Sequence, residues 1–111
     1  MKRLLTAAIA ASALAAAVPA MAQTYLDNRA AQADQRIDAG VRDGSLTLGE
    51  ADTLRSRLHD IERQQDRYQA DGMADWQSRA LNRRYDGLSN QIYDMRRNNE
   101  YRYRRSDDDA W

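Results

Sequence analysis

The chain has 111 residues, no cysteine or phenylalanine, one proline, and 17 basic residues against 17 acidic ones. That balance argues against a nucleic-acid binder, which carries a marked basic excess. The missing cysteines remove disulfides and thiolate chemistry.

The N-terminus places Lys2 and Arg3 before an uncharged run from Leu4 to Val18, then Pro19 and the small-x-small triplet Ala20-Met21-Ala22. This is the order of a secretory signal. The sequence predicts residues 1–22 as a signal peptide cleaved after Ala22, and hence a periplasmic location in a Gram-negative bacterium. The apolar run covers 15 residues and is mostly alanine, short of the ~20 strongly apolar residues that a membrane span requires. After cleavage the chain is therefore expected not to span a membrane. Residues 23–111 hold 15 basic residues, all arginine, and 17 acidic ones, a formal net charge of −2. They contain only 13 Leu, Ile, Val and Met residues, so the core is thin and must be helical packing or self-association.

The rest of the chain lacks proline, and glycine occurs only at 40, 44, 49, 72 and 87. Long helices are therefore uninterrupted by the strongest breaker. A first helix is predicted over about 24–43, with Leu26, Ala30, Ala33, Ile37 and Val41 on one face at three-four spacing. After the turn Asp43-Gly44-Ser45-Leu46, Thr47 and Glu50 carry the signature of a capping box. The second helix, about 47–70, aligns Ala51, Leu54, Leu58, Ile61, Gln65 and Tyr68, with a polar Gln65 in one core slot. Asp71-Gly72 makes the next turn. Asp75 is the expected cap of a third helix, about 75–99, whose stripe is Leu81, Tyr85, Leu88, Ile92 and Met95. Residues 100–111 are expected to be a charged, disordered tail.

These elements form a three-helix domain over 23–99. The fold class is all-α: three amphipathic helices in an antiparallel up-down-up, coiled-coil-like arrangement, either closed into a bundle or open and curved. The second and third helices also show a faint 27-residue repeat, which any two adjacent amphipathic helices of equal length can produce.

Catalytic, cofactor and metal sites find no support. Asp43-Gly44-Ser45-Leu46-Thr47 with Glu50 resembles the back half of a calcium loop, but the first two ligand positions fall on Ala39 and Val41. His59 is the only histidine and has no metal-ligand partner at the i+4 spacing. No serine stands in a nucleophile-elbow context. The sequence points to a binding protein, not an enzyme, that uses no cofactor.

The candidate partner-binding residues are Trp76, Tyr85, Arg97, Tyr101, Arg102, Tyr103, Arg104 and Arg105. Arginine interleaved with tyrosine stacks on and pairs with anionic groups, here compensated locally by Asp107, Asp108 and Asp109. Trp76 closes the end of a bundle or anchors a client.

The chain resembles the small helical periplasmic proteins of the Spy/CpxP type, with their two L-T-x-x-Q motifs. The two copies here are Leu46-Thr47-Leu48-Gly49-Glu50, with glutamate for glutamine, and Met73-Ala74-Asp75-Trp76-Gln77, which keeps the glutamine and loses Leu and Thr. It resembles equally a short envelope protein built on a G-x-L-T-x-x-E-A turn and helix. The first resemblance implies an ATP-independent envelope-stress chaperone that holds unfolded clients. The competing expectation is a structural or adaptor coiled coil for one specific envelope partner. A homodimer and contact of the tail with an anionic envelope surface are further expected partners; nucleic acid is not.

Overall fold

A computed structural model describes residues 17–109, and the expected signal peptide, residues 1–22, lies largely outside them. Among the described residues the chain forms three helices, α1 (Ala17–Arg42), α2 (Leu48–Ala70) and α3 (Asp75–Asp109), and no strand. Each helix packs against both others, so the bundle is closed. The pairing of Asp27 with Gln65 and of Asp38 with Arg55 sets α1 and α2 antiparallel. Tyr85 with Gln65 and Gln91 with Arg57 do the same for α2 and α3. Hence α1 and α3 run parallel.

The core consists of the predicted stripes. Leu26, Ala33 and Ile37 from α1, Ala51, Leu54, Leu58 and Ile61 from α2, and Leu81, Tyr85, Leu88 and Ile92 from α3 are buried, with Leu46 from the first turn. Ala30, Val41, Tyr68, Met73 and Met95 pack around them. Three stripes at three-four spacing can all face inward only if each helix has two neighbours, which selects the closed arrangement.

Thr47 caps α2 as expected: its hydroxyl accepts from the Glu50 N–H at 3.1 Å, and the Glu50 carboxylate accepts from the Thr47 N–H at 3.0 Å. These bonds satisfy two of the donors that a helix start leaves unpaired. The first turn is closed by Gly44 at φ 79°, a conformation that glycine adopts without steric cost. Gly40, inside α1, is a close-approach site. A Cβ there would stand 2.5 Å from Leu46 Cδ1 and 2.7 Å from Leu46 Cγ, so the leucine lies directly on the helix backbone.

The second turn is a Schellman motif. Gly72 N–H donates to Gln69 C=O at 3.1 Å and Met73 N–H donates to Tyr68 C=O at 2.8 Å, with Met73 and Tyr68 both against the core. Gly72 and Met73 both have positive φ, 93° and 35°.

Asp75 is not the cap of α3; it is the helix's first residue, and the N-cap position belongs to Ala74. The side chain of Gln77 provides the capping bond instead, accepting from the Ala74 N–H at 2.8 Å. This is the return half of a capping box without its hydroxyl half. Helix α3 does not end near Asn99 but continues to Asp109, through most of the segment expected to be disordered. Neither Gly nor Pro occurs after Gly87, and oppositely charged or stacked pairs at i,i+4, Glu100 with Arg104 and Arg97 with Tyr101, favour the helix. Helix α1 is likewise already formed at Ala17, before the expected start at 24.

Candidate functional site

Two polar clusters join the helices, and one face of α3 is left open. The first cluster crosses the bundle at Gln65, 4% exposed. Its carbonyl oxygen accepts from the Tyr85 hydroxyl at 2.7 Å, and its amide nitrogen donates to Asp27 Oδ1 at 2.8 Å. Each helix therefore contributes one residue to this layer, and a buried polar chain with all its members bonded fixes register. Arg29 covers it from α1. Its guanidinium lies 5.8 Å from the Tyr85 ring centroid and 2.6 Å from the Asp86 carboxylate. Burial pushes the Tyr85 hydroxyl up to about 12, with Glu62 and Asp27 adding to the effect. Tyr85, a candidate partner contact by sequence, is 1% exposed and belongs to the core.

The second cluster fastens the first turn to α3. Arg96 donates from Nε to Ser45 Oγ at 2.8 Å and from Nη2 to Asp43 Oδ2 at 2.6 Å. Asn99 Nδ2 donates to the Ser45 carbonyl at 3.0 Å and to Glu50 Oε1 at 2.6 Å. Asp43 Oδ1 also accepts from the Ser45 hydroxyl and amide. These bonds hold the Asp43 carboxyl below its ordinary value, Ser45 contributing most and Arg96 adding to it. The Thr47 amide, aided by Asn99, lowers that of Glu50.

The open face is a stripe on α3. Tyr93 and Tyr101 are 61% and 57% exposed, and Arg97 stands midway between them at i+4 and i−4. The Arg97 guanidinium lies 5.6 Å from the Tyr101 ring centroid and donates to the Tyr101 hydroxyl at 3.3 Å. That contact raises the Arg97 pKa and lowers that of Tyr101. Tyr93, Arg96, Arg97 and Glu100 form the α3 wall of a shallow groove, Arg36 of α1 the opposite wall, and Ile92 its floor. Among the described residues neither Arg36 nor Arg97 forms an ion pair with a carboxylate. The groove thus offers the guanidiniums of Arg36 and Arg97, with Glu100 as its one carboxylate, beside exposed aromatic surface, a combination suited to a carboxylate or phosphate carried on an apolar group.

The other sequence candidates are dispersed. Trp76 is 59% exposed at the far end of the molecule, its ring edge-on to Tyr68 with centroids 5.9 Å apart. Arg102 lies close enough to Glu50 to lower its pKa, and Arg104 and Arg105 are exposed, Arg104 lining a shallow pocket with Asp43, Gly44 and Ser45 of the first turn. The side chain of Tyr103 lies outside the described part of the structure. Arg97, Tyr101 and Arg104 are therefore brought together, whereas Trp76 and Tyr85 are not. Tyr93 and Arg36 were missed by sequence reasoning. The spacing Tyr93-Arg97-Tyr101 continues the interleaved pattern one turn upstream and could have found the first; the position of Arg36 depends on helix packing.

No group of three or more His, Cys, Asp or Glu among the described residues is placed to hold a metal ion. No described helix is long and apolar enough to cross a membrane. No family model matches the chain, and comparisons with curated proteins and with solved structures find no significant match.

Proposed function

We propose that this is an exported, non-enzymatic binding protein of the bacterial envelope, which docks one protein partner through the groove between α1 and α3. The observation that carries the proposal is the exposed Tyr93-Arg97-Tyr101 stripe, of which Tyr93 and Arg97 line the groove opposite Arg36. Tyrosine and arginine are among the side chains most enriched at the energetic centres of protein interfaces. The partner surface that complements them is acidic with an apolar anchor. Export to the periplasm is supported by the Lys2-Arg3, apolar-run and Ala20-Met21-Ala22 pattern.

The closed bundle favours this adaptor role over the broad chaperone role implied by the resemblance to Spy/CpxP proteins. A holdase needs incompletely buried apolar surface, and the apolar stripes of all three helices are turned inward. The test pairs two assays on the purified protein. Affinity capture from an envelope extract should recover one species with the natural chain and lose it with the Tyr93→Ser/Arg97→Ser variant, while unrelated unfolding proteins aggregate unhindered. Protection of several such proteins, weakening as salt screens the arginines, would instead establish the chaperone role.

A further inference from the structure

Helix α1 begins at Ala17 and so runs through the expected cleavage point between Ala22 and Gln23. Inside a helix the N–H groups of Thr24, Tyr25 and Leu26 are bonded to the carbonyls of residues 20, 21 and 22. Removing residues 1–22 takes those acceptors away. It also creates an ammonium group on Gln23, at the helix end that carries positive partial charge. Fraying at the new end would reach Leu26, which is fully buried, and Asp27, whose Oδ1 accepts from the Gln65 amide at 2.8 Å.

The residues after the cut are Gln23-Thr24-Tyr25-Leu26-Asp27, and Thr24 with Asp27 repeats the spacing of Thr47 with Glu50. The start of α2 shows what that spacing does in this fold. The Thr47 hydroxyl accepts from the Glu50 N–H, and the Glu50 carboxylate accepts from the Thr47 N–H while the same oxygen holds Asn99 of α3. Asp27 makes the tertiary half of the same arrangement by holding Gln65 of α2.

We infer that cleavage after Ala22 converts Thr24 from a helix-interior residue into the N-cap of the mature α1, with Asp27 as its return partner in a capping box. The Thr24 hydroxyl then accepts from the Asp27 N–H, and the Asp27 carboxylate accepts from the Thr24 N–H while still holding Gln65. A carboxylate has two oxygens and lone pairs enough for both bonds. Its charge also offsets the new ammonium group. Gln23, Thr24 and Tyr25 are exposed, so the new start forms without displacing core side chains. Processing thus leaves α1 with a cap of its own and keeps the Gln65 layer in register. The inference rests on the export reading and is independent of the docking groove.

The experiment compares two forms of the chain by urea unfolding. One is the protein as cells export and process it, with its N-terminus read by mass spectrometry; the other is the full chain from cell-free synthesis, which keeps residues 1–22. Each is prepared with the natural Thr24, with Thr24→Ala and with Thr24→Asp. At an N-cap aspartate outranks alanine, whereas inside a helix alanine outranks aspartate. In the processed protein Thr24→Asp should keep the folding equilibrium constant within about 2-fold, and Thr24→Ala should lower it about 5-fold. In the full chain the order of the two variants should reverse. Asp27→Ala should cost more in the processed protein than in the full chain, because it ends the capping bond as well as the bond to Gln65. If Thr24→Ala is at least as stable as Thr24→Asp in the processed protein, or if the order is the same in both forms, the inference is overturned and export stands. A chain that cells leave unprocessed overturns both.

Discussion

Asn99 of α3 and Glu50 in the first turn of α2 are joined by a hydrogen bond of 2.6 Å. The same Glu50 oxygen accepts from the Thr47 amide, so the carboxylate that starts α2 also tethers α3 to it. Local capping and tertiary docking are thus one structure. Removing the carboxylate should cost more than removing an ordinary cap. Thr47→Ala should destabilise the bundle by about 1 kcal/mol, and Glu50→Ala by about 1.5–2 kcal/mol, because it loses Asn99 as well. Chemical denaturation measures both. Glu50→Ala and Asn99→Ala combined should cost less than the sum of the single changes, since they break a shared bond.

Acid should loosen this end of the molecule first. The Asp43 and Glu50 carboxyls sit below their ordinary values of 3.8 and 4.5, so the folded protein binds fewer protons than the unfolded chain. Their contribution is present in full above those values and is lost as pH falls through the lowered ones. Thermal melts should therefore be flat down to about pH 5 and fall steeply below about pH 4. Arg96→Gln, which removes one of the groups lowering Asp43, should flatten that fall.

The Gln65 layer gives an alkaline counterpart. Tyr85, raised from 10.0 to about 12, contributes stability that is complete below its unfolded value and lost as pH rises toward its folded one. Tyrosinate absorbance should show one tyrosine ionising last, with loss of helix, and Tyr85→Phe should remove that component. The same variant leaves the Gln65 carbonyl oxygen buried without its partner, at a cost of about 1–3 kcal/mol. Replacing both residues, Gln65→Leu with Tyr85→Phe, should cost less than the two single changes added together.

Gly40→Ala tests the contact of Leu46 with the α1 backbone. Helix propensity alone favours alanine by about 0.8–1.0 kcal/mol. The new methyl group would meet Leu46 at Cδ1, Cγ and Cβ, the last at 3.3 Å, and crowding of that kind costs typically 1–3 kcal/mol. The expected result is a net loss of stability and a lower Tm. A gain would mean that the turn yields easily.

The core was readable in the sequence because each helix buries a single face. Every residue of the three predicted stripes is in the core or packed against it, Gln65 included. The capping box was readable for the same reason: its two partners are three residues apart. Contacts between distant segments were not. Arg96 reaches Asp43 across 53 positions, and only the parallel packing of α1 with α3 brings them together. Tyr85 is a candidate partner contact by residue type, whereas its place in the apolar stripe makes it core. Residue preference points to Asp75 as a cap, but Gln77 supplies the capping bond from inside the helix. The charge of the final segment suggests disorder, but with no helix breaker after Gly87 α3 continues to Asp109.

The central claim is that the α1–α3 groove receives a partner. Its most direct measurement is site-specific photo-crosslinking in the cells that make the protein, with a photoreactive residue at Ser89, which lines the groove, and a control at Asp52, exposed on α2. One discrete adduct of a second protein should form from position 89, disappear with Tyr93→Ser/Arg97→Ser, and be absent from position 52. No adduct at 89, or the same set of adducts from both positions, would contradict the account.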